Sequence, residues 1–361
     1  MIGIGIIGAG GIARSHVQGY LGLGGEDVRI VAICDTDADR AAALAVELGA
    51  DVHRDYHDLL ARADVHIVSV CTPSFTHFQI SADALQAGKA VLCEKPLAGS
   101  LRELDHLAKL EATYGGPLNC VFQYRYGRMF RGLQALMEAG LTGALITASA
   151  DVLWFRDATY YAVPWRGKWA TELGGALTTL AIHSIDALLA LAGPVTRLAA
   201  ETGTLSHAIE VEDVASVTLR FANGAIGNLH VTSCNHRNLS EFRFIFERCT
   251  ATSHQRPYDP FALPWSFEAQ SPAQEAAIGE FLAALNLESQ AEGHNAQIAD
   301  FVSCVRAGRR PPVSIAAIRP THQALAAIYK SAWLKTMVTL PLACDDLWYD
   351  LPKARAASTQ A

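Results

Sequence analysis

Ile2-Gly3-Ile4-Gly5-Ile6-Ile7-Gly8-Ala9-Gly10-Gly11-Ile12-Ala13 runs from an apolar strand pattern straight into a glycine turn, and its reading decides the fold. The last six residues are a GxGxxA match that closes a strand and opens a helix. Gly8 permits the tight turn, Gly10 lets the backbone approach a pyrophosphate, and the small Ala13 lets the helix pack close to its strand. The helix N-terminus then turns free N–H groups and the positive end of its dipole toward phosphate. Gly8, Gly10, Gly11 and Ile12 are therefore the expected dinucleotide contacts.

Outward from this turn, apolar runs at 2–7, 28–34, 65–71, 90–93 and 118–122 alternate with helical spacing at 12–21, 37–48, 76–87 and 101–114. Strands apolar on both faces and separated by helices predict a doubly wound parallel sheet, a Rossmann domain, over residues 1–124. The second strand ends in Asp35, where a carboxylate accepts from adenine-ribose hydroxyls and repels a 2′-phosphate. That favours NAD as cofactor. Arg40 keeps NADP as the alternative, since guanidinium pairs well with phosphate. The competing reading is that Asp35 or Asp37 only caps the next helix.

The 361 residues carry a formal charge of −7, with 50% hydrophobic and 18% charged residues, which fits two folded domains and no nucleic-acid partner. The N-terminal run lacks a basic region and a cleavage pattern, so no leader is expected. The apolar stretch 177–191 is interrupted by His183 and Asp186 and is too short to span a bilayer, so no membrane partner is expected either. Eight cysteines are scattered without a CxxC pair, which predicts reduced thiols, a cytoplasmic protein and no metal site. The tail after Pro352 reads as frayed.

Ligands of open α/β sheets bind outside the carboxyl ends of the strands. Two such ends are Cys71-Thr72-Pro73-Ser74-Phe75-Thr76-His77 and Cys93-Glu94-Lys95-Pro96. A lysine at such an end can hydrogen-bond a substrate oxygen and offset developing alkoxide charge. The plain alternative is a surface lysine beside a turn proline. Together with the glycine turn, Thr72-Pro73 with His77 and Glu94-Lys95-Pro96 resemble the glucose–fructose oxidoreductase/inositol dehydrogenase (Gfo/Idh/MocA) family. The resemblance continues at Gly174-Gly175-Ala176-Leu177, Ile182-His183-Ser184-Ile185-Asp186, Ile298-Ala299-Asp300-Phe301 and Thr339-Leu340-Pro341-Leu342.

The resemblance implies a second α/β domain, 125–361, on a large open mixed, mostly antiparallel sheet. It implies Lys95 as catalytic lysine and His183 as general acid/base. Thr72, Pro73, His77, Glu94, Lys95 and Pro96 would line the cofactor, and the bond before Pro96 is a candidate for a cis or tight-turn form. One departure matters. Many polyol-oxidising relatives carry Asp one helical turn before the histidine, whereas this chain has Thr179. On one helix Thr179 and His183 would be neighbours, but a hydroxyl cannot supply the charge that raises an imidazole pKa. His183 also has the plain reading of a half-buried core histidine, and Asp186 either orients its ring or pairs elsewhere.

In the second domain, Gln123-Tyr124-Arg125-Tyr126 marks the crossing, a helix is expected at 129–139, and strands near 144–155, 194–205, 213–221, 224–233 and 240–247. Ala222-Asn223-Gly224 is a hairpin signal. The stretch 250–273 reads as irregular, with helices at 274–285, 294–307 and 314–335. Aromatic and arginine residues crowd 154–172. Aromatic faces stack on sugar rings and arginines reach hydroxyls, although a core or a dimer surface uses the same residues. The substrate candidates are Arg125, Arg156, Tyr160, Trp165, Arg166, Thr179 and His183. The expected activity is NAD(P)-dependent hydride transfer on a small-molecule carbohydrate or polyol, by a homodimer or homotetramer. Redox-neutral glycoside cleavage and a non-catalytic dinucleotide sensor are the alternatives.

Overall fold

The computed structural model describes residues 1–24 and 28–358 and divides into two compact units. The first comprises Met1–Val121 and Gly293–Arg319, the second Phe122–Glu292 and Pro320–Ala361. The expected single boundary at 124/125 is thus corrected: the chain returns to the first unit. The reason is apolar packing, because Ile298, Phe301 and Val302 are buried in the same core as Ile4, Val17 and Ile33.

In the first unit the order is β1 (Ile2–Ile7), α1 (Ala13–Leu21), β2 (Val28–Cys34), α2 (Ala38–Leu48), β3 (Asp51–His53), α3 (Tyr56–Leu60) and β4 (Ile67–Val70). It continues with α4 (His77–Gln86), β5 (Ala90–Cys93), α5 (Leu101–Tyr114) and β6 (Leu118–Cys120). Among the described residues the sheet has six strands in the order β3-β2-β1-β4-β5-β6, with every pairing parallel. This is the doubly wound order whose switch point lies beside β1. Local chemistry sets the helix ends. Asp37 caps α2 through its carboxylate, Gly49 ends it in the left-handed region, and Ser100 caps α5. Sequence reading missed β3 and α3, since a three-residue edge strand with two exposed positions has no apolar run to announce it.

The second unit runs α6 (Arg128–Glu138), β7 (Leu145–Phe155), the short turns α7 (Ala158–Tyr161), α8 (Trp169–Glu172) and α9 (Ala176–Thr179), then α10 (Ile182–Ala192). Next come β8 (Val195–Gly203), β9 (Val214–Phe221), β10 (Ile226–Thr232), β11 (Cys234–Phe246), β12 (Cys249–Thr252), β13 (Ser266–Ala269) and α11 (Pro272–Ala284). After α12 (Gly293–Arg306), α13 (Ile315–Leu334) precedes β14 (Val338–Thr339) and α14 (Leu351–Ser358). Among the described residues the eight strands form one mixed sheet, β13-β12-β11-β7-β10-β9-β8-β14, in which only β7–β10 is parallel. Alternate residues such as Ala148, Ala150 and Val152 face the core, and α10 packs across β7. No single helix among the described residues is long and apolar enough to cross a membrane.

The Ala222-Asn223-Gly224 signal is a three-residue hairpin loop, with Phe221 N donating to Ala225 O and Gly224 at φ +90°. Two expectations are corrected. The stretch 250–273 is not wholly irregular: β12 and β13 extend the sheet, and buried Phe261 lies 4.7 Å from the ring of Phe242. The chain after Pro352 is not frayed through 358. It continues α14, with Ala354 fully buried and the Arg355 guanidinium 3.7 Å above the Trp169 ring.

Candidate active site

The glycine turn is built by close approach on one side and open space on the other. Gly8 has φ +95° and donates its N–H to Cys34 O at 2.7 Å. A Cβ there would stand 2.7 Å from the Cys71 carbonyl, so the β1–α1 turn needs glycine to pass the end of β4. Ala13 is fully buried for the same reason of proximity. By contrast, a Cβ on Gly10 or Gly11 would meet nothing within 4 Å. The α1 N-terminus has no side-chain cap and no acidic residue in its first turn. The turn thus leaves open space at an uncapped helix N-terminus, a cradle that fits a dinucleotide pyrophosphate.

Asp35 sits at the edge of this cradle. Its Oδ2 accepts from Ala9 N at 2.8 Å, and its Oδ1 accepts from Asp37 N at 2.9 Å. The helix-cap alternative falls to Asp37 instead, whose Oδ1 accepts from Arg40 N at 3.1 Å. Arg40 is tied to the same pair, 3.2 Å from Asp37 and 3.8 Å from Asp35.

At the ends of β4 and β5, the structure separates residues that border the cradle from residues that hold it up. Thr76 Oγ1 donates to Pro73 O at 2.8 Å and lies 2.6 Å from the Thr72 hydroxyl, which fixes the turn that opens α4. His77 is buried, with Nε2 2.8 Å from Thr72 O and Nδ1 2.7 Å from Pro96 O. Both ring nitrogens face main-chain carbonyls, so the ring ties the two strand-end loops together. Burial holds its pKa below the usual histidine range. The Lys95–Pro96 bond is cis, and Lys95 is half-buried just beyond β5.

Glu94 is likewise buried. Its Oε1 lies 3.1 Å from His16 Nε2 and 3.8 Å from His294 Nε2, and its Oε2 accepts from Lys95 N at 3.3 Å. Burial alone would raise its pKa, but the hydrogen bonds to His16 and His294 outweigh it and hold the carboxyl well below the usual range. His16 Nδ1 meets Ser69 Oγ at 3.1 Å, and Ser69 Oγ meets Tyr20 OH at 2.8 Å. Sequence reading missed this buried chain. Its one local signal was His16 and Tyr20, four residues apart on the inner face of α1.

In the second unit, Thr179 and His183 lie on separate helices rather than on one. α9 ends at Thr179 and α10 begins at Ile182, and the segments Trp169–Thr179 and Ile182–Ala192 are bent by 50°. Thr179 Oγ1 donates to Gly175 O at 2.9 Å. His183 is 8% exposed, its ring centroid 5.3 Å from Tyr124 and 5.7 Å from Phe122. Asp186 pairs elsewhere. It accepts from Arg125 Nε at 2.7 Å, Arg125 Nη2 at 2.8 Å and Thr321 Oγ1 at 2.8 Å. Arg125 thus forms a part-buried bidentate ion pair with Asp186.

The aromatic stretch forms a half-buried stack. The Arg156 guanidinium lies 4.8 Å over Trp154 and 5.1 Å over Tyr160, while Arg166 lies 3.8 Å over Tyr160 and 4.3 Å over Trp165. Arg166 also bonds the Tyr160 hydroxyl and the buried Glu172, the latter at 3.1 Å. Gly174-Gly175 has a packing cause. A Cβ on Gly175 would fall 1.9 Å from Glu212 O, and Glu212 accepts from Gly175 N and Leu177 N.

Comparison with known proteins agrees with both units. Residues 2–121 match the GFO/IDH/MocA oxidoreductase family pattern with an NAD-binding Rossmann fold, and residues 130–252 match the GFO/IDH/MocA C-terminal domain. Uncharacterized oxidoreductase YrbE of Bacillus subtilis is 30% identical over 233 residues, which are 62% of this chain and 64% of that protein. D-apiose dehydrogenase of Paraburkholderia graminis is 29% identical over 234 residues, 64% of this chain and 60% of its own length. The chain thus spans less than two thirds of these relatives. The WlbA dehydrogenase of Bordetella pertussis, solved with NADH and UDP-GlcNAcA, superposes with a TM-score of 0.83 at 28% identity, covering 95% of this chain and 99% of that one.

Proposed function

The chain belongs to the GFO/IDH/MocA oxidoreductase family, with an NAD-binding Rossmann fold, and from that premise we propose that it catalyses reversible hydride transfer between NAD(H) and a secondary hydroxyl or ketone of a sugar, inositol or related polyol. The observation that carries this reading is the β1–α1 turn: an open, uncapped helix N-terminus with the Asp35 carboxylate fixed beside it. Bound NAD supplies the hydride acceptor or donor. Lys95 binds the substrate's reacting oxygen and offsets its growing negative charge. His183 takes the hydroxyl proton and returns it, the task for which an imidazole is suited near neutral pH. Packing against Tyr124 and Phe122 restricts the plane of its ring. Thr179 donates its own proton to Gly175 O, so toward a substrate hydroxyl it acts as acceptor. Arg156, Tyr160, Trp165 and Arg166 offer the stacking faces and donors that a sugar or polyol needs.

Net dehydrogenation is preferred over redox-neutral glycoside cleavage, since D-apiose dehydrogenase and the WlbA dehydrogenase are named for that chemistry. A sensor would have no use for Lys95 and His183. The cytoplasm is the proposed compartment and a homodimer or homotetramer the proposed assembly. Eight free thiols support the first, and the open sheet face bearing Leu153, Phe155 and Ile226 supports the second.

The test is absorbance at about 340 nm, the nicotinamide band, with NAD+ or NADP+ against a panel of inositols, aldoses and glycosides. NADH formation that collapses in Lys95→Ala and His183→Ala supports the assignment. Tight NAD+ binding without turnover on any member moves the reading to sensing or redox-neutral cleavage, and absence of dinucleotide binding overturns it.

A further inference from the structure

Three side chains of different chemistry converge at strand ends of the second unit's sheet. His207 and Asp213 lie in the β8–β9 connection, and Cys234 is the first residue of β11. Their ligand atoms all lie within 4.8 Å of one another. His207 Nδ1 is 3.1 Å from Asp213 Oδ2 and 3.7 Å from Cys234 Sγ. Zinc bonds of about 2.3 Å to sulfur and about 2.0–2.1 Å to nitrogen or oxygen put such atoms roughly 3.6 Å (S···N) and 3.3 Å (N···O) apart around a tetrahedral ion.

A second observation is the facing of the ring. His207 Nε2 lies 2.8 Å from Arg156 O, a carbonyl that can only accept, so Nε2 carries a proton. In the neutral ring Nδ1 then presents a lone pair, and it presents it to a carboxylate. Oδ2 of that carboxylate already accepts from Ser206 N and His207 N, and Oδ1 from Leu205 N. Two lone pairs meet at 3.1 Å, which requires something positive at Nδ1. A proton would serve Asp213 but would leave the Cys234 thiol with a 3.9 Å contact to Asp213 O. A divalent cation serves all three. Holding the far nitrogen of a histidine on a main-chain carbonyl is also the usual support of a metal-bound imidazole.

We infer that His207 Nδ1, Asp213 Oδ2 and Cys234 Sγ form a binding site for a borderline-soft divalent cation, zinc first, with water in the remaining position. The S, N and O donor set excludes calcium and magnesium, which take oxygen. The charges balance, since thiolate, carboxylate and a neutral ring cancel the +2 of the ion. Binding therefore expels the Cys234 thiol proton to solvent, together with any proton on Nδ1. The site is reachable, with the His207 side chain 16% exposed and Asp213 fully buried beneath it. Through Nε2 the ion would also steady the main chain of Arg156, whose guanidinium stacks over Trp154 and Tyr160.

The experiment titrates cobalt(II), as a visible surrogate for zinc, into chelator-treated, reduced full-length protein. The expected result is one ion per chain, a thiolate-to-cobalt charge-transfer band that zinc abolishes, and release of protons in weak buffer. Cys234→Ser should lose the band and bind at least about 100-fold more weakly, the upper end of what lost supporting contacts cost, while its circular dichroism stays that of the wild type. Cys344→Ser, which removes the exposed thiol, should leave the band intact. No binding, or a band that survives in Cys234→Ser, overturns the site.

Discussion

Two glycines of the β1–α1 turn do different jobs, and single methyl groups separate them. Gly8→Ala forces a Cβ to 2.7 Å from the Cys71 carbonyl at φ +95°, so a loss of about 1–3 kcal/mol is expected in denaturant melts. Gly10→Ala meets no protein atom within 4 Å. Its stability should stay within about 0.5 kcal/mol of wild type, while NADH affinity by fluorescence titration drops. Equal losses of stability in the two variants would contradict the division. At Asp35 the carboxylate is held toward the glycine turn by Ala9 N and Asp37 N. Asp35→Asn removes the charge that repels a 2′-phosphate, and the NAD+/NADP+ ratio of kcat/KM should fall by about tenfold or more, roughly 1.4 kcal/mol. An unchanged ratio would remove Asp35 from cofactor choice.

Between elements, the buried chain from Tyr20 through Ser69 and His16 to Glu94 joins α1 to the ends of β4 and β5. Glu94 has its folded pKa depressed, so its contribution is present above the unfolded carboxyl pKa and is lost as pH falls through the folded one. Glu94→Gln should therefore cost about 3 kcal/mol near neutral pH, the scale of a broken buried pair. The gap to wild type should narrow steadily below about pH 4.5. Melting temperatures of both proteins across that range provide the check. The α9–α10 break is a second element-scale feature. Gly175→Ala drives a Cβ toward Glu212 O, 1.9 Å away, so thermal stability should fall and the environment of His183 should shift in NMR.

For the whole molecule, the return of α12 to the first unit is the decisive fact. Ile298, Phe301 and Val302 complete a core otherwise built from residues before 122. A chain cut after residue 124 exposes that core and should be collapsed or insoluble rather than cooperatively folded. Phe301→Ala in the intact chain should cost about 3–5 kcal/mol and weaken dinucleotide binding although it is remote in sequence from the glycine turn. A truncated 1–124 fragment with a sharp, two-state melt would refute the dependence.

The sequence by itself determined the strand–helix alternation, the glycine turn and Asp35, while the mixed second sheet followed from the family resemblance. Apolar periodicity and turn chemistry are local, and each is written within a dozen residues. The Ala222-Asn223-Gly224 hairpin was legible for the same reason. Only the tertiary structure decided which polar residues meet. It tied His77 to main-chain carbonyls and Glu94 to His16, set Arg125 against Asp186, broke the helix between Thr179 and His183, and gave α12 to the first unit. It also ordered β12 and β13, short segments held by pairing rather than by propensity. His207, Asp213 and Cys234 share no spacing that a sequence would betray. A buried polar group is satisfied by whatever the fold brings within 3 Å, and that partner has no fixed distance along the chain.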